Sequence, residues 1–272
     1  MSYSPKAADV AKLRNATGAG MMDSKKALVE AEGDFDKAVD LLRKKGQKVA
    51  ANRADRENLE GAVIAAVNDA HTKAVVIKLS CETDFVAKNE DFVKLAKDFA
   101  KLALNFNTKE ELLAADFNGI PVSEKLIEQT GVIGEKIEIS GFKKLEAPFV
   151  GSYIHAGNKI ASAVGLSKSF GNAAEVSKNI SMQVAAMNPI ALDETQVDSS
   201  VIEKELEIAK DQLRQEGKPE AMLENIAKGK LNKFFKDNTL LKQDYIMGEK
   251  TSVEDYVKSI DPEVKITGFI RL

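Results

Sequence analysis

The sequence predicts an α+β fold, because helices and antiparallel β-hairpins are grouped along the chain instead of alternating strictly. Three observations support this prediction. Short helical segments separated by glycines open the chain, two pairs of apolar strand-like segments are each followed by an amphipathic helix, and a long helical pattern is interrupted at 217–219. We therefore expect an amino-terminal three-helix module, a core of two subdomains built from β-hairpins with helices, and a projecting antiparallel helical hairpin.

The module of three short helices is predicted over residues 1–46. Its first helix ends at the Gly-Ala-Gly turn at 18–20, and its second helix covers about 22–32. Asp34 can cap the third helix, which we expect to end at Gly46. A module of about 45 residues is close to the lower size limit for independent folding, so it should have a thin core and leave apolar surface for a partner.

The polar, weakly periodic stretch 47–60 is predicted to be a linker to a first core subdomain at 61–145. In that subdomain the segments 62–67 and 74–79 are rich in β-branched residues and flank a short polar turn, which predicts a β-hairpin. The amphipathic helix that follows can begin at Asn89, because asparagine is a favourable N-cap residue.

A second core subdomain is predicted at 146–272, and it begins as a faint echo of the first. Strand-like segments at 150–154 and 160–166 precede a helix that must stop before Pro189. Apolar residues then repeat at alternating spacings of four and three over about 199–236, with a Gly-Lys-Pro turn between two halves, which predicts a coiled-coil helical hairpin. The remaining expected elements are a strand at 136–144, a helix that opens near Thr251 and a strand at 264–270.

Composition argues against several classes of function. The 272 residues include 30% charged side chains, yet the net charge is only −3, and no basic tract is interleaved with aromatic residues as in a nucleic-acid groove. The single cysteine, Cys81, cannot form an intramolecular disulfide, and no Cys/His pattern has zinc-site spacing. No apolar run approaches the ~20 residues that span a bilayer. We expect a cytoplasmic protein with a protein partner, no cofactor, no direct nucleic-acid contact and no membrane contact.

The sequence also lacks recognisable catalytic motifs. Neither a Gly-x-Gly-x-x-Gly pattern nor a Gly-x4-Gly-Lys-Ser/Thr loop occurs, so the chain itself should not bind a nucleotide. The only two histidines, His71 and His155, lie in turns without a nearby Ser or Cys nucleophile and an orienting carboxylate. We therefore predict no catalytic residue and no metal site.

The segment Leu13–Leu28 places Met21 and Met22 directly after the Gly-Ala-Gly turn. Methionine is flexible and suits adaptable interfaces, and Arg14 and Lys25 lie nearby to contact an acidic rim. The alternative is that both methionines fill a thin core. Residue chemistry alone favours that alternative.

The segment Cys81–Lys88 contains Thr83-Asp84-Phe85-Val86, at a point where a strand gives way to a helical turn. Thr83 or Asp84 can cap this turn and place negative charge at its positive end. On chemistry alone Phe85 is expected to be buried, as most phenylalanines are. The alternative is a protruding Asp-Phe pair that acts as a wedge.

These two segments resemble the two sequence signatures of the bacterial elongation factor Ts family, at the matching distance from each other. The resemblance extends over nearly the whole chain, to the Gly-Phe-Ile-Arg terminus at 268–271. It implies that the first module is similar to ubiquitin-associated (UBA) domains, and that the chain is a translation elongation factor and a non-catalytic guanine-nucleotide exchange factor. The implied partner is the GTPase elongation factor Tu, in its GDP-bound and nucleotide-free forms, whose release of GDP would allow GTP to bind.

The resemblance also implies roles for particular residues. The segment Thr83–Val86 would enter the nucleotide-binding domain of the partner, where the ring of Phe85, next to Asp84, would wedge between helices and disturb magnesium and phosphate contacts. A second contact with the same domain would come from the first module. The residues implied in that contact are Arg14, Met21, Met22 and Lys25. His155, in a hairpin, would approach a more distant domain.

Four residues at three places depart from the family pattern. Lys78 stands where an acidic residue is usual, Ser24 where cysteine is common, and Asn158-Lys159 where Gly-Arg is frequent. Lys159 keeps the positive charge of an arginine but cannot form the two parallel hydrogen bonds that a guanidinium makes with a carboxylate.

Two rival hypotheses for the function remain open. One is a pure binding module that leaves the nucleotide affinity of its partner unchanged, and the other is an enzyme that depends on His155.

Overall fold

The computed structural model describes residues 3–272, and it confirms the α+β class. Eleven α-helices and eight β-strands lie in this range, and the strands form small sheets with antiparallel pairs. The chain folds into two compact units. The first contains the chain up to Ile64, Ile77–Phe142 and Gly157–Lys159, and the second contains Ala65–Val76, Lys143–Ala156 and Ile160–Leu272.

Three helices open the first unit: α1, Ala7–Thr17; α2, Met21–Glu30; and α3, Phe35–Asn52. Gly18 ends α1 in the left-handed conformation, with φ 71°, and its N–H donates to the Arg14 carbonyl. Asp34 caps α3 as predicted, because its side chain accepts a hydrogen bond from the Lys37 N–H. The three helices share a small core of buried apolar side chains: Val10, Leu13, Ala27, Leu28, Ala31 and Ala38.

Nine elements follow in chain order: β1, Glu60–Val67; β2, Lys73–Cys81; α4, Asp84–Ala87; α5, Glu90–Ala103; α6, Lys109–Ala114; β3, Asp116–Phe117; β4, Ile120–Pro121; α7, Val122–Ile133; and β5, Glu138–Glu146. Strands β1, β2 and β5 form one sheet in that order, and β3 pairs with β4. The predicted strand pair β1 and β2 is confirmed. Asn89 caps α5 as predicted, since its side chain accepts hydrogen bonds from the N–H groups of Asp91 and Phe92.

The second unit contains the remaining elements: β6, Phe149–Ile154; β7, Ala161–Leu166; α8, Ala173–Met187; α9, Ser199–Gln215; α10, Glu220–Asn238; α11, Val253–Ile260; and β8, Ile266–Arg271, with a short 3-10 turn at Glu194–Gln196. Strands β6, β7 and β8 form an antiparallel sheet in that order. Helices α9 and α10 pack on each other through Ala209, Leu213, Leu223 and Ala227.

The prediction that the third helix ends at Gly46 is wrong. Helix α3 continues through this buried glycine to Asn52 and packs against α7, a helix that the sequence did not predict. A Cβ atom at Gly131 of α7 would lie only 2.5 Å from the Gly46 Cα. Gly46 therefore permits a close helix crossing. A glycine in the sequence can mark either such a crossing or the end of a helix, and the sequence alone does not tell the two apart.

The predicted boundaries between module, linker and subdomains stay predictions, although 47–52 of the expected linker is helical. The likeness of the first module to UBA domains and the projection of the α9–α10 pair also stay predictions. None of the helices in residues 3–272 is long and apolar enough to cross a bilayer.

Candidate protein-binding site

The Thr83 turn, which we define as Thr83–Val86, presents an exposed aromatic ring immediately after β2. Thr83 is extended, with φ −118° and ψ 154°, and its hydroxyl accepts a long 3.5 Å hydrogen bond from the Val86 N–H. Ala87 faces inward and is 4% exposed, whereas Phe85 is 83% exposed. The expectation that Phe85 is buried is therefore wrong, and its ring is available to another molecule.

The carboxylate of Asp84 lies next to this ring and is paired with Lys88, one helical turn later. The Lys88 Nζ donates to Asp84 Oδ2 at 2.6 Å. This hydrogen bond and the positive charge of Lys88 lower the pKa of Asp84, and Lys159 lowers it further. Lys159 is itself paired with Glu60. Phe85 therefore stands among ionised side chains of both signs.

Glu135, which is distant in sequence, holds the Thr83 turn, and the carboxylate of Glu82, the residue before the turn, binds Arg53 and Lys136. Glu135 Oε2 accepts hydrogen bonds from the N–H groups of Glu82 and Thr83, each at 3.0 Å, and Glu135 Oε1 accepts from the Thr83 hydroxyl at 2.6 Å. The Glu82 carboxylate accepts from Arg53 Nη1 at 2.7 and 2.9 Å and from the Lys136 N–H at 2.7 Å. We call these interactions of Glu82 and Glu135 the carboxylate clamp.

Sequence reasoning missed the clamp. Glu135 lies 52 residues after Thr83, and no short spacing links the two segments. The available signal was a physical one: a one-turn helix leaves its first backbone N–H groups without intrahelical partners, so an acceptor had to come from elsewhere. Nothing in the sequence showed that Glu135 would be that acceptor.

The electrostatics of Glu82 reflect its surroundings. Partial burial alone would raise the pKa of Glu82, but the hydrogen bonds from the Lys136 N–H and from Arg53 outweigh it, so the pKa is lowered. Its side chain is 17% exposed, and the Arg53 side chain is 33% exposed. Glu82 is therefore a charged acceptor that stays ionised at neutral pH.

The first module presents a shallow groove of about 300 Å³ beside α1 and the start of α2. The family resemblance implies four partner-binding residues in this module, and three of them, Arg14, Met21 and Lys25, line this groove. The other lining residues are mostly apolar: Pro5, Ala7, Val10, Ala11 and Asn15. Two cations and a thioether therefore border an apolar floor.

Met22 does not line this groove, but it is as exposed as its neighbour. Met21 is 63% exposed and Met22 is 62% exposed, so the expectation that both fill the core is wrong. Helix α2 turns Ser24, Ala27 and Leu28 inward instead. Periodicity places Met22 on the side of the helix opposite Ala27 and Leu28, whereas Met21 shares the face of Ser24 and is exposed as the first residue of α2.

His155 is exposed and follows β6 in the second unit, whereas the other candidate residues belong to the first unit. Its backbone N–H donates to the Ile160 carbonyl at 2.9 Å, which closes the hairpin between β6 and β7. Its ring Nδ1 forms a 3.0 Å hydrogen bond with the Tyr153 hydroxyl. The two rings form a polar aromatic pair at this end of the hairpin.

The three departures from the family pattern have local structural explanations in part. Lys78 Nζ donates to the Leu59 carbonyl at 3.0 Å. Lys159 retains a carboxylate partner, Glu60. Ser24 is fully buried, and its hydroxyl has no hydrogen-bond partner among the described residues, which fits a position where a less polar thiol would be accommodated.

The potential metal ligands of the described residues are dispersed, and the single cysteine is buried. Within residues 3–272, no group of three or more His, Cys, Asp or Glu side chains could hold a metal ion. Cys81 is buried, and burial together with the charge of Glu135 raises the pKa of its thiol to about 12. The thiol is thus protonated and shielded, and its Sγ donates to the Thr83 carbonyl at 3.2 Å.

Comparison with known proteins places these features in a family. A family model described as "Elongation factor TS" matches residues 82–272, which include the Thr83 turn. A protein named elongation factor Ts from Christiangramia forsetii is 66% identical over 266 residues, covering 98% of this chain and 97% of the relative. Proteins of the same name from Flavobacterium psychrophilum and Porphyromonas gingivalis are 66% and 41% identical, over 97% of this chain and 97% and 96% of the relatives.

Proposed function

This chain belongs to the elongation factor Ts family of translation elongation factors, and on that premise we propose that it binds the GTPase elongation factor Tu and promotes release of GDP. The 83% exposure of Phe85 is the observation that carries this proposal. Burying a phenylalanine side chain in a partner contributes roughly 1.5–3 kcal/mol. That free energy is available to displace packed elements of the partner.

We infer that Phe85 enters between helices of the nucleotide-binding domain of elongation factor Tu, with Asp84 as its polar neighbour. The affinity of a GTPase for GDP depends on a bound magnesium ion and on backbone amides that surround the phosphates. A small displacement of that phosphate-binding loop removes part of the binding energy of GDP. Thr83 and Val86 then frame the ring, and Thr83 caps the turn that carries it.

The groove of the first module is proposed to supply nucleotide-independent affinity. An amphipathic helix with an acidic rim suits a groove with an apolar floor and two cations, Arg14 and Lys25. Met21 can adapt to the contour of that helix because its side chain has three rotatable bonds. Met22, outside the groove, would extend the contact, and Tyr153 with His155 would form a third contact on a more distant domain.

The direct test is the rate at which labelled GDP leaves elongation factor Tu, followed by stopped-flow fluorescence over a wide range of concentrations of this protein. We expect acceleration, and we expect Phe85→Ala to lower the maximal rate about tenfold or more, as the loss of ~1.4 kcal/mol or more of differential binding requires. Met247→Ala is the control, because it also removes an exposed apolar side chain, 50% exposed, from the second unit.

Other outcomes identify the rival hypotheses. Formation of a complex without any change in GDP dissociation would mean that the protein is a pure binding module. Turnover of a substrate that His155→Ala abolishes would mean that it is an enzyme. Equal effects of Phe85→Ala and Met247→Ala on the maximal rate would remove the special role that we give to the ring.

A further inference from the structure

The exposed position of Phe85 raises the question of what holds it in place. Helix α4 has four residues, and helices this short are not stable in isolation. The ring itself contributes little packing, since it is 83% exposed. A wedge on a mobile turn would lose conformational entropy on insertion, so a fixed turn requires support from the surrounding backbone.

Glu135 supplies that support through three hydrogen bonds to consecutive parts of the turn. It accepts from the N–H groups of Glu82 and Thr83 and from the Thr83 hydroxyl, at 3.0, 3.0 and 2.6 Å. A carboxylate acceptor makes each of these bonds stronger than a neutral acceptor would. Both oxygens of Glu135 are used, which fixes the orientation of its carboxylate as well as that of the turn.

The carboxylate clamp is reciprocal, because segment 82–83 both donates hydrogen bonds to segment 135–136 and accepts one from it. The Glu82 carboxylate accepts from the backbone N–H of Lys136, the residue directly after Glu135, at 2.7 Å. The same carboxylate accepts two hydrogen bonds from Arg53 at 2.7 and 2.9 Å. Two short segments, 82–83 and 135–136, are thus joined by interactions in both directions.

Both anchors of the clamp lie at ends of helices. Gly134 ends α7 in the left-handed conformation, with φ 80°, and Glu135 is the next residue. Arg53 is the C-cap residue of α3. The close crossing of these helices at Gly46 and Gly131 fixes the two anchors relative to each other within the first unit.

We propose that Glu135 is a positioning residue for GDP release, which orients the Thr83 turn so that Phe85 is presented in the conformation that enters the partner. This inference rests on the proposed exchange function. Glu135 acts through the ring and not through a contact of its own with nucleotide. Preorganisation of this kind affects the productive insertion step more than the initial encounter, because it removes an ordering cost that arises only on insertion.

Three substitutions of Glu135 separate the effect of side-chain length from the effect of the negative charge. Glu135→Gln keeps the reach of the side chain: its carbonyl oxygen can accept from the two N–H groups while its amide donates to the Thr83 hydroxyl. Glu135→Asp keeps the charge but is one methylene shorter. Glu135→Ala removes both properties. We expect the maximal rate of GDP release to fall at least tenfold for Glu135→Ala, to fall clearly for Glu135→Asp, and to stay within about threefold for Glu135→Gln.

Glu138→Ala is the matched control. It removes a glutamate three residues away, whose carboxylate approaches Lys136 Nζ at 3.8 Å and makes no hydrogen bond to the Thr83 turn among the described residues. Circular dichroism melts establish that each variant is folded. If Glu135→Ala does not fold, Glu135→Asp and Glu135→Gln carry the test.

A spectroscopic measurement tests the clamp without the partner. The chain contains four tyrosines and no tryptophan, so Phe85→Trp in the full-length protein introduces a single tryptophan at the ring position, which can be excited selectively at longer wavelength. Time-resolved anisotropy of this tryptophan reports its nanosecond motion. We expect Glu135→Ala or Glu135→Asp to increase the amplitude of that motion and Glu138→Ala to leave it unchanged. Unchanged motion in every Glu135 variant would overturn the proposal.

A double-mutant cycle with Phe85→Ala then tests whether Glu135 acts through the ring. We expect Glu135→Ala to slow GDP release by less than about twofold when Phe85 is already alanine. Independent, multiplicative effects would overturn the positioning role. A wild-type protein that does not accelerate GDP release would refute the proposed function itself, whereas a fully active Glu135→Ala variant would refute only this inference.

Discussion

At the residue scale, Glu82 shows how a partly buried charge is retained. Its carboxylate has three hydrogen bonds, two from Arg53 and one from the Lys136 N–H. Removing a partner from such a group is costly because the remaining charge keeps its desolvation penalty. Glu82 therefore stabilises the fold only while it is ionised.

This dependence predicts a pH effect on stability. The folded-state pKa of Glu82 is lowered from 4.5, so its contribution is present above the unfolded-state value and is lost as pH falls through the lowered folded-state pKa. We expect Glu82→Gln to cost about 1–2 kcal/mol at pH 7, with the difference from wild type shrinking below about pH 4.5. Urea unfolding between pH 7 and pH 3 measures this difference in the free energy of unfolding. Glu138→Gln is the control for loss of a nearby surface carboxylate.

The usual burial preferences of phenylalanine and methionine gave the wrong expectation for the exposure of the apolar side chains in the candidate site. They predicted that Phe85, Met21 and Met22 are interior, because most such residues are. In this chain small residues close the adjoining core instead, namely Ala87 next to the turn and Ala27 on α2. The resemblance to a known family identified the Thr83 turn, but neither it nor local chemistry identified Glu135, whose contacts depend on the tertiary fold.

At the scale of elements, the pairing of α3 with α7 organises the first unit. Gly46 and Gly131 face each other so closely that an added Cβ at Gly131 would lie 2.5 Å from a backbone atom. Backbone cannot move aside as the end of a flexible side chain can. The crossing therefore depends on glycine for space and not for its conformational freedom, since both residues are helical.

Gly131→Ala should accordingly destabilise the protein although alanine favours helices. We expect a loss of about 1–3 kcal/mol from overpacking at the crossing. Gly229→Ala is the matched control in α10, because an added Cβ there meets nothing within 4 Å, and we expect it to stabilise by about 0.5–1 kcal/mol. Urea unfolding followed by far-ultraviolet circular dichroism compares the two. Shifts of the same sign would contradict the role of Gly131.

Elements with strong local patterns were predictable from the sequence, and those set by long-range packing were not. The strand pair β1–β2, the capped helix α5 and the helices α9 and α10 follow from periodicity and capping residues. Helix α7 was missed because its segment contains Gly131 and Thr130, residues of low helix propensity. The extension of α3 to Asn52 was missed because glycine is common just after a helix end, and Gly46 was interpreted as such a stop signal.

At the scale of the whole molecule, the proposed contacts divide into two kinds. The groove with Arg14, Met21 and Lys25 would bind the partner whether or not GDP is present. The ring of Phe85 would bind well only when the nucleotide site is disturbed. Affinity and exchange would then be separable properties of one chain, since only differential interactions can shift an equilibrium.

Thermodynamic linkage makes this division measurable. If the protein weakens GDP binding, GDP must weaken binding of the protein by the same factor, and such coupling is typically ~1–3 kcal/mol, or roughly 5- to 150-fold. We expect wild type to bind nucleotide-free elongation factor Tu more tightly than the GDP-bound form by a factor in this range. Titration calorimetry of both forms gives the ratio directly.

Two variants should change this ratio differently. Phe85→Ala is expected to bring the ratio towards one, because it removes the contact that distinguishes the two forms. Met21→Ala is expected to weaken both complexes by a similar factor and leave the ratio unchanged. Met21 is 63% exposed, so its truncation removes little packing from the fold. If Met21→Ala reduced the ratio as strongly as Phe85→Ala, the groove would take part in exchange itself, and coupling would be spread over both surfaces.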